Sequence, residues 1–280
     1  MCGRYVTISQ VQAVEKRFNV HVSSDVAVEW KSNANVSHGE RAPVIAHDAP
    51  GAVQLFQFGL TPRWAQKQFY MVNARSEGDH NPDDDPRYTG AMGILNKPMF
   101  RQSIRERRCL VIADAFIEGP KEERLKRPYV LYPKHGETPF ALAGIWDEWA
   151  DPASGEVIRS FAIITTVANR ILQRIGHHRS PVVIDPEQER TWMDPNTPLA
   201  EATAMLRPIP DQWLNAYPID SAIRDPRANG SYLLEPTGER LLPEYQFSLH
   251  EHLECFGMGE SRAKNRRKDS TPPEPPPTLF

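Results

Sequence analysis

Residues 140–166, FALAGIWDEWADPASGEVIRSFAIITT, decide how the rest of the chain is read. Two runs within it, Phe140 to Ile145 and Ser160 to Thr166, are apolar and rich in β-branched and aromatic residues. Asp, Pro and Gly lie between them, and runs of this kind bounded by turn formers read as strands. The same criterion picks out Val53 to Phe58, Arg108 to Ile112, Tyr129 to Tyr132 and Val182 to Ile184. Helical spacing is sparser. Val11 to Phe18 places apolar side chains at Val11, Val14 and Phe18, and Phe100 to Arg107, Pro186 to Met193 and Leu199 to Leu206 are short further candidates. Long strand–helix alternation is absent, which argues against a doubly wound sheet. The expected class is α+β, with a curved, mostly antiparallel β-sheet or barrel core flanked by helices, and the length suits one large domain or two small ones. The 26 prolines in 280 residues favour many short elements over a helical bundle.

Composition narrows the function classes. Hydrophobic residues make up 40% and charged residues 25%, enough for a sizeable core without disulfide staples. Lys and Arg total 33 against 36 acidic residues, so the net charge is 33 − 36 = −3 and there is no global basic field, although local patches remain open. Three cysteines, Cys2, Cys109 and Cys255, are too few and too odd in number for a secreted disulfide framework. No apolar run reaches the roughly 18–20 residues that span a bilayer, and MCGRYVTISQ lacks the pattern of a secretory signal. A cytoplasmic protein without membrane contact is the expectation.

The chain changes character near Phe256. Residues 2–256 are expected to form the domain, and 257–280 a disordered tail, first basic and then proline-rich. The stretch Gly78 to Gly90, GDHNPDDDPRYTG, reads as a solvated loop and lacks the DxDxDG spacing of a calcium site. Arg101, Arg105, Arg107 and Arg108 read as a solvated helix face. Cys109, in an apolar run, reads as an inert core thiol. The cluster His250, His252 and Cys255 has no second ligand pair, so no metal is expected there, and no cofactor anywhere.

Cys2 follows the initiator methionine and becomes terminal if Met1 is removed. A terminal cysteine carries an α-amine with a pKa of about 7.7–8.0 and a thiol of about 8.5 on adjacent carbons. The amine can form a Schiff base with an aldehyde, and the thiol can then close on the imine carbon to a thiazolidine. The same pair can instead attack an amide, as in N-terminal-nucleophile hydrolases, and a small buried cysteine is the structural alternative.

MCGRY at the start, VNARSE at 72–77, FRQSIRERRCLVIADAFIEG at 100–119, FALAGIWDEW at 140–149 and FAIITTVANRILQRIGHHRSPVVI at 161–184 occur in this order. FGLTPRWA at 58–65 and YPIDSAI at 217–223 join them. Together they resemble the SOS-response-associated peptidase family, also called the abasic-site-processing family, over roughly residues 2–235. The resemblance implies a barrel-like α+β domain that binds single-stranded DNA and traps abasic sites through the terminal cysteine as a thiazolidine. It also implies a cysteine-peptidase-like autoprocessing that exposes Cys2, and lyase-like reversal of the crosslink. Carried over residue by residue, it assigns catalytic roles to Cys2, Asn73, Glu118 and His177, and DNA contacts to Arg4, Arg75, Arg179 and Trp64. A monomer is expected, associated with the nucleoid when bound to damaged DNA. The chain departs from the family pattern at Phe58, Ala115, Gly119 and Ser180, and none of these changes removes a chemical group from the site.

The roles follow from the chemistry. Thiazolidine formation needs a group that gives and takes protons, which suits Glu118 if burial lifts its pKa. His177 can donate to a sugar oxygen or shuttle a proton. Asn73 offers a donor and an acceptor together. Arg4, Arg75 and Arg179 each sit two residues from Cys2, Asn73 and His177, so every site element brings a guanidinium suited to a phosphate. Trp64 either stacks on a base or belongs to the core. Two other classes remain: an N-terminal-nucleophile amidohydrolase or peptidase, and a single-stranded-DNA-binding protein without catalysis.

Overall fold

The computed structural model describes residues 3–134 and 138–244. Its strands are β1 Tyr5–Thr7, β2 Asn33–Val36, β3 Arg41–Ala46, β4 Gln54–Phe58, β5 Asn73–Arg75, β6 Arg108–Ala113, β7 Ala115–Glu118, β8 Tyr129–Pro133, β9 Phe140–Ala150, β10 Val157–Val167, β11 Arg179–Pro181, β12 Val183–Ile184 and β13 Leu214–Pro218. Short helices flank them: α1 Val11–Phe18, α2 Ser24–Glu29, α3 Ser103–Glu106, α4 Arg170–Arg174, α5 Glu189–Met193 and α6 Leu199–Ala204.

Five strands close on themselves. β10 pairs with β4, β4 with β3, β3 with β6, β6 with β9 and β9 again with β10. All of these pairings are antiparallel except β4 with β10. Closure removes the edges that an open sheet would expose. β6 lies between β3 and β9, and all six of its residues are buried, which is why Cys109 to Ile112, after Arg108, reads as an unbroken apolar run. Alternate residues part into two clusters. Cys109, Val111, Leu142, Phe161 and Ile163 pack with Tyr5, Phe116, Leu131 and Ala216 of a second sheet. Leu110, Ile112, Ala143, Ile145 and Ile164 pack with Val14, Ile104, Trp192 and Ala202 of the helices. This is the period-two separation of strand faces.

The second sheet is antiparallel, in the order β13-β8-β7-β1-β2. Its centre is β7, reached from β6 through Asp114, which is fully buried. The Asp114 carboxylate accepts hydrogen bonds from the backbone N–H groups of Ile8 (2.6 Å) and Ser9 (2.8 Å). The first strand is thereby pinned to the corner where the two sheets meet. After β13 the chain still packs: Leu241 N–H donates to the Ala216 carbonyl (2.8 Å), and the Asn215 amide donates to Glu244 (2.7 Å).

The expected α+β class with a mostly antiparallel barrel core is the observed one. Helix α1 has the expected bounds, and the six expected strands all occur. The candidate 186–193 divides into a 3₁₀ turn, Pro186–Gln188, and α5. The reading of four arginines on one solvated face is corrected. Arg101 and Arg105 are exposed, but Arg108 is 1% exposed at the start of β6. Its guanidinium donates to the backbone carbonyls of Ile104 (2.9 Å), Arg105 (3.2 Å), Trp192 (2.5 Å) and Asp194. Cys109 is fully buried, and burial pushes its thiol pKa far up, as expected of an inert core thiol. The boundary at residue 256, the 257–280 tail and the His250–Cys255 cluster lie outside the described residues. No helix among the described residues is long and apolar enough to cross a membrane.

Candidate active site

Four elements converge on a cleft of about 590 Å³ beside the second sheet. β7 ends there at Glu118, which pairs across with Tyr129 of β8. On the other side Ile117 N–H donates to the Arg4 carbonyl (3.0 Å), so the chain leading into β1 runs alongside the end of β7. Gly3 and Arg4 line the cleft with Glu118. Cys2 is one residue further upstream and lies outside the described residues.

The third element is β10. Its last residues are flanked by β5 on one side (Ile163 opposite Asn73, Thr165 opposite Arg75) and by β11 on the other (Val167 opposite Arg179). The fourth is the link from α4 to β11. Gly176 adopts φ +79°, a left-handed conformation that glycine accepts without cost, and turns the chain at the helix end. His177 follows, its N–H bonded to the Leu172 carbonyl (2.9 Å).

Glu118 is 4% exposed and His177 6%. The His177 Nε2 atom lies 3.3 Å from Oε2 of Glu118. The other ring nitrogen, Nδ1, is 2.6 Å from the Gly119 carbonyl oxygen. A carbonyl can only accept, so Nδ1 carries the proton, and in the neutral ring Nε2 is left as an acceptor facing the carboxyl. The partner this geometry favours is a protonated Glu118. Burial works in the same direction on both groups. It pushes the Glu118 pKa up to about 7 and the His177 pKa down to about 4. Near pH 6 the pair is therefore a neutral carboxylic acid 3.3 Å from a neutral imidazole, with one transferable proton in a desolvated place.

Gly119 shows why the chain departs here from the family pattern. A Cβ at this position would overlap the Arg124 carbonyl oxygen and lie 2.9 Å from that of Arg127. The turn at 120–127 thus folds its backbone directly onto residue 119. No side chain fits, and the carbonyl that orients His177 is held in place.

The expected DNA-contacting residues fall into different environments. Arg4 lines the cleft, and partial burial lowers its pKa. Arg75 also lines it, half-buried, donating from Nη2 to the Asn81 carbonyl and to Asp84 (2.7 Å each). Arg179 is 2% exposed and clamps Glu77 with two hydrogen bonds (3.1 and 2.8 Å). It donates further to the Thr165 carbonyl (2.9 Å), so it braces the wall of the cleft through a buried ion pair. Asn73 is buried on β5, its amide donating to the Val72 carbonyl (3.0 Å). Trp64 stands apart. It is 53% exposed and lines a separate shallow pocket with Pro98, Arg101 and Gln102, which removes the core alternative.

Three residues escape the sequence reading. Glu77, 1% exposed, holds Arg179, and its place within VNARSE was the available signal. Lys121 lines the cleft next to Gly119 and Pro120. Asp84 lies in the stretch expected to be a solvated loop, and that reading is corrected: Asn81 is buried, and Asp84 reaches into the cleft. Among the described residues no cluster of three or more His, Cys, Asp or Glu side chains could hold a metal ion.

Known proteins are similar to this chain in sequence and in fold. An abasic site processing protein of Bacillus subtilis, YoqW, is 28% identical over 241 residues, which cover 84% of this chain and 99% of that one. The Escherichia coli protein YedK, with the same description, is 28% identical over 184 residues, 64% of this chain and 72% of that one. HMCES of Xenopus tropicalis, also described as an abasic site processing protein, is 24% identical over 235 residues, covering 72% and 65%. A crystal structure of a protein from Bacteroides thetaiotaomicron superposes with a TM-score of 0.71 at 25% identity, covering 85% of this chain and all of that one. The sequence model of one family matches residues 1–226. With the site assembled from the motifs that carry the resemblance, the chain belongs to the SOS response associated peptidase (SRAP) family.

Proposed function

We propose that this protein captures abasic sites in single-stranded DNA covalently, through the amine and thiol of Cys2. The α-amine attacks the open-sugar aldehyde and forms a carbinolamine. Loss of one water gives the imine. The Cys2 sulfur then adds to the imine carbon while its proton passes to nitrogen, closing a thiazolidine. The net change is condensation of aldehyde, amine and thiol with release of one water.

The observation that carries this reading is the Glu118–His177 pair, buried beside the strand that Cys2 leads into, with a pKa of about 7 on the carboxyl. A carbinolamine hydroxyl leaves only when protonated, and imine formation first needs a free amine. A carboxyl that titrates near neutrality can take the first proton and supply the second. His177, uncharged over the working range, leaves that proton on the carboxyl between transfers. Asn73 orients the amine and a sugar oxygen. Arg4 and Arg75 contact phosphates, Arg179 braces the cleft wall behind them, and Trp64 stacks on a base outside the cleft. The shared description of the Bacillus, Escherichia and Xenopus relatives supports the substrate. Removal of Met1 by the same nucleophile is the peptidase-like part of the proposal.

The intact mass of the protein after exposure to an abasic-site oligonucleotide tests it. The expected result is a denaturant-resistant adduct, minus one water, mapped to Cys2 and absent in Cys2→Ala. A sugar remnant on any other side chain, or full capture by protein with an uncleaved N-terminal tag, overturns it.

A further inference from the structure

The cationic end of the cleft already holds an anion of its own. Asp84 Oδ1 lies 2.7 Å from Arg75 Nη2 and 3.6 Å from Arg179 Nη1. Its Oδ2 lies 3.6 Å from Lys121 Nζ and 3.6 Å from His178 Nε2. One carboxylate thus faces two guanidiniums, an ammonium and an imidazole drawn from three separate parts of the chain.

The loop is built to put it there. Asn81 is buried, its side-chain oxygen accepts from Asp85 N–H (2.9 Å), and its amide donates to the Asp85 carbonyl (3.1 Å). Arg75 grips the Asn81 carbonyl at 2.7 Å. Within this clasp Asp84 adopts φ +57°, a left-handed conformation that aspartate enters more readily than most residues with a Cβ. The cations are also under-used. Among the described residues, the buried Nε atoms of Arg75 and Arg179 have no hydrogen-bond acceptor. One carboxylate leaves donors unfilled, whereas a phosphodiester brings the same single charge with more acceptor oxygens.

We propose that Asp84 is a built-in stand-in for a DNA phosphate: it occupies the cationic end of the cleft in the free protein and gives way when a strand enters. This rests on the reading that the cleft receives a nucleic acid. A displaced Asp84 carboxylate gathers cations from solution, which offsets part of the counterion release from the strand. The device sets a threshold against undamaged strands. A strand held only by its phosphates has to displace Asp84 for each encounter, while covalent capture, once made, no longer depends on that competition.

The test is affinity for an undamaged thymidine oligonucleotide across a salt series, with covalent capture of an abasic-site oligonucleotide measured alongside. Asp84→Asn is expected to bind about tenfold tighter at low salt, with a log K against log salt slope steeper by about 0.7, the value for one further phosphate contact on a single strand. Asp84→Ala should act in the same direction, and Asp84→Glu should return affinity to the wild-type level. Asp83→Asn changes the net charge equally at an exposed neighbour and should shift affinity less than twofold. Wild-type binding with no gain in Asp84→Asn, weaker binding in it, or an equal gain in Asp83→Asn overturns the proposal alone. Absence of both binding and capture in every variant overturns the nucleic-acid reading and this proposal with it.

Discussion

Two arginines are buried to nearly the same degree, Arg108 at 1% and Arg179 at 2% exposure. Their partners set them apart. Arg108 donates to carbonyl oxygens of the backbone, where among the described residues its charge has no counter-ion in hydrogen-bond contact, and burial lowers its pKa. It ties α3, α5 and the residue after α5 to the barrel. Arg179 faces carboxylates, Glu77 in full contact and Asp84 at longer range, at the wall of an open cleft. A buried cation spent on carbonyls is a fastening. A buried cation paired with carboxylates beside a cavity keeps an electrostatic field where a ligand can reach it.

The largest effect expected from breaking this contrast is at Arg179. Arg179→Met leaves Glu77 buried without its partner, and should cost about 3–5 kcal/mol in urea unfolding. Adding Glu77→Leu should recover most of that loss, because removing both charges removes the penalty with the pair. Equal destabilisation of the single and double variants would show that packing, not charge, dominates.

Glu118 sharpens the contrast in the opposite direction. A carboxyl whose pKa rises from an ordinary 4.5 to about 7 on folding stabilises the protein below 4.5 and loses that contribution as the pH climbs through 7. Glu118→Gln, which cannot ionise, should therefore be more stable than wild type at pH 8, by up to about 3 kcal/mol at 1.36 kcal/mol per pKa unit. The difference should shrink toward zero at pH 4.5. The same variant should capture abasic DNA about 100-fold more slowly, the lower range of general acid–base contributions. Thermal melts at the two pH values and a capture time course separate these effects. A variant that melts below wild type at pH 8 would contradict the burial argument.

The smallest effect is expected at Arg108. Arg108→Met strands the carbonyls of Trp192 and Asp194 and should cost about 2 kcal/mol. The capture rate per folded molecule should stay at the wild-type value. A slowed rate would tie that end of the barrel to the cleft.

Such differences mark the limit of what a sequence displays. The long strands were legible because β6, β9 and β10 are apolar on both faces and so carry their signal in composition. β1, β5 and β11 were not. Each has three residues and exists because a longer neighbour supplies its hydrogen bonds. Glu118 could be placed at the end of a strand from the apolar run before it. The acceptor nitrogen of His177 could not, since it depends on a carbonyl 58 residues away. Asp84 was concealed most completely. Three consecutive aspartates read as a solvated loop until the fold delivers Arg75, Lys121 and Arg179 to the same place. Arg108 and Arg179 look alike in sequence, and only the partners separate them.

One pairing along β10 has a consequence of its own. β4 and β5 share that strand end to end, β4 beside Ser160 and Phe161, β5 beside Ile163 to Thr165. The chain between them leaves the barrel and returns, and a bridge between Leu60 and Met71 shuts its neck (3.0 and 3.2 Å). Residues 61–70, with Trp64 at the surface, therefore form a cassette with its own latch. A lineage can lengthen, shorten or rewrite that cassette, and with it the surface around Trp64, while Asn73 stays in register.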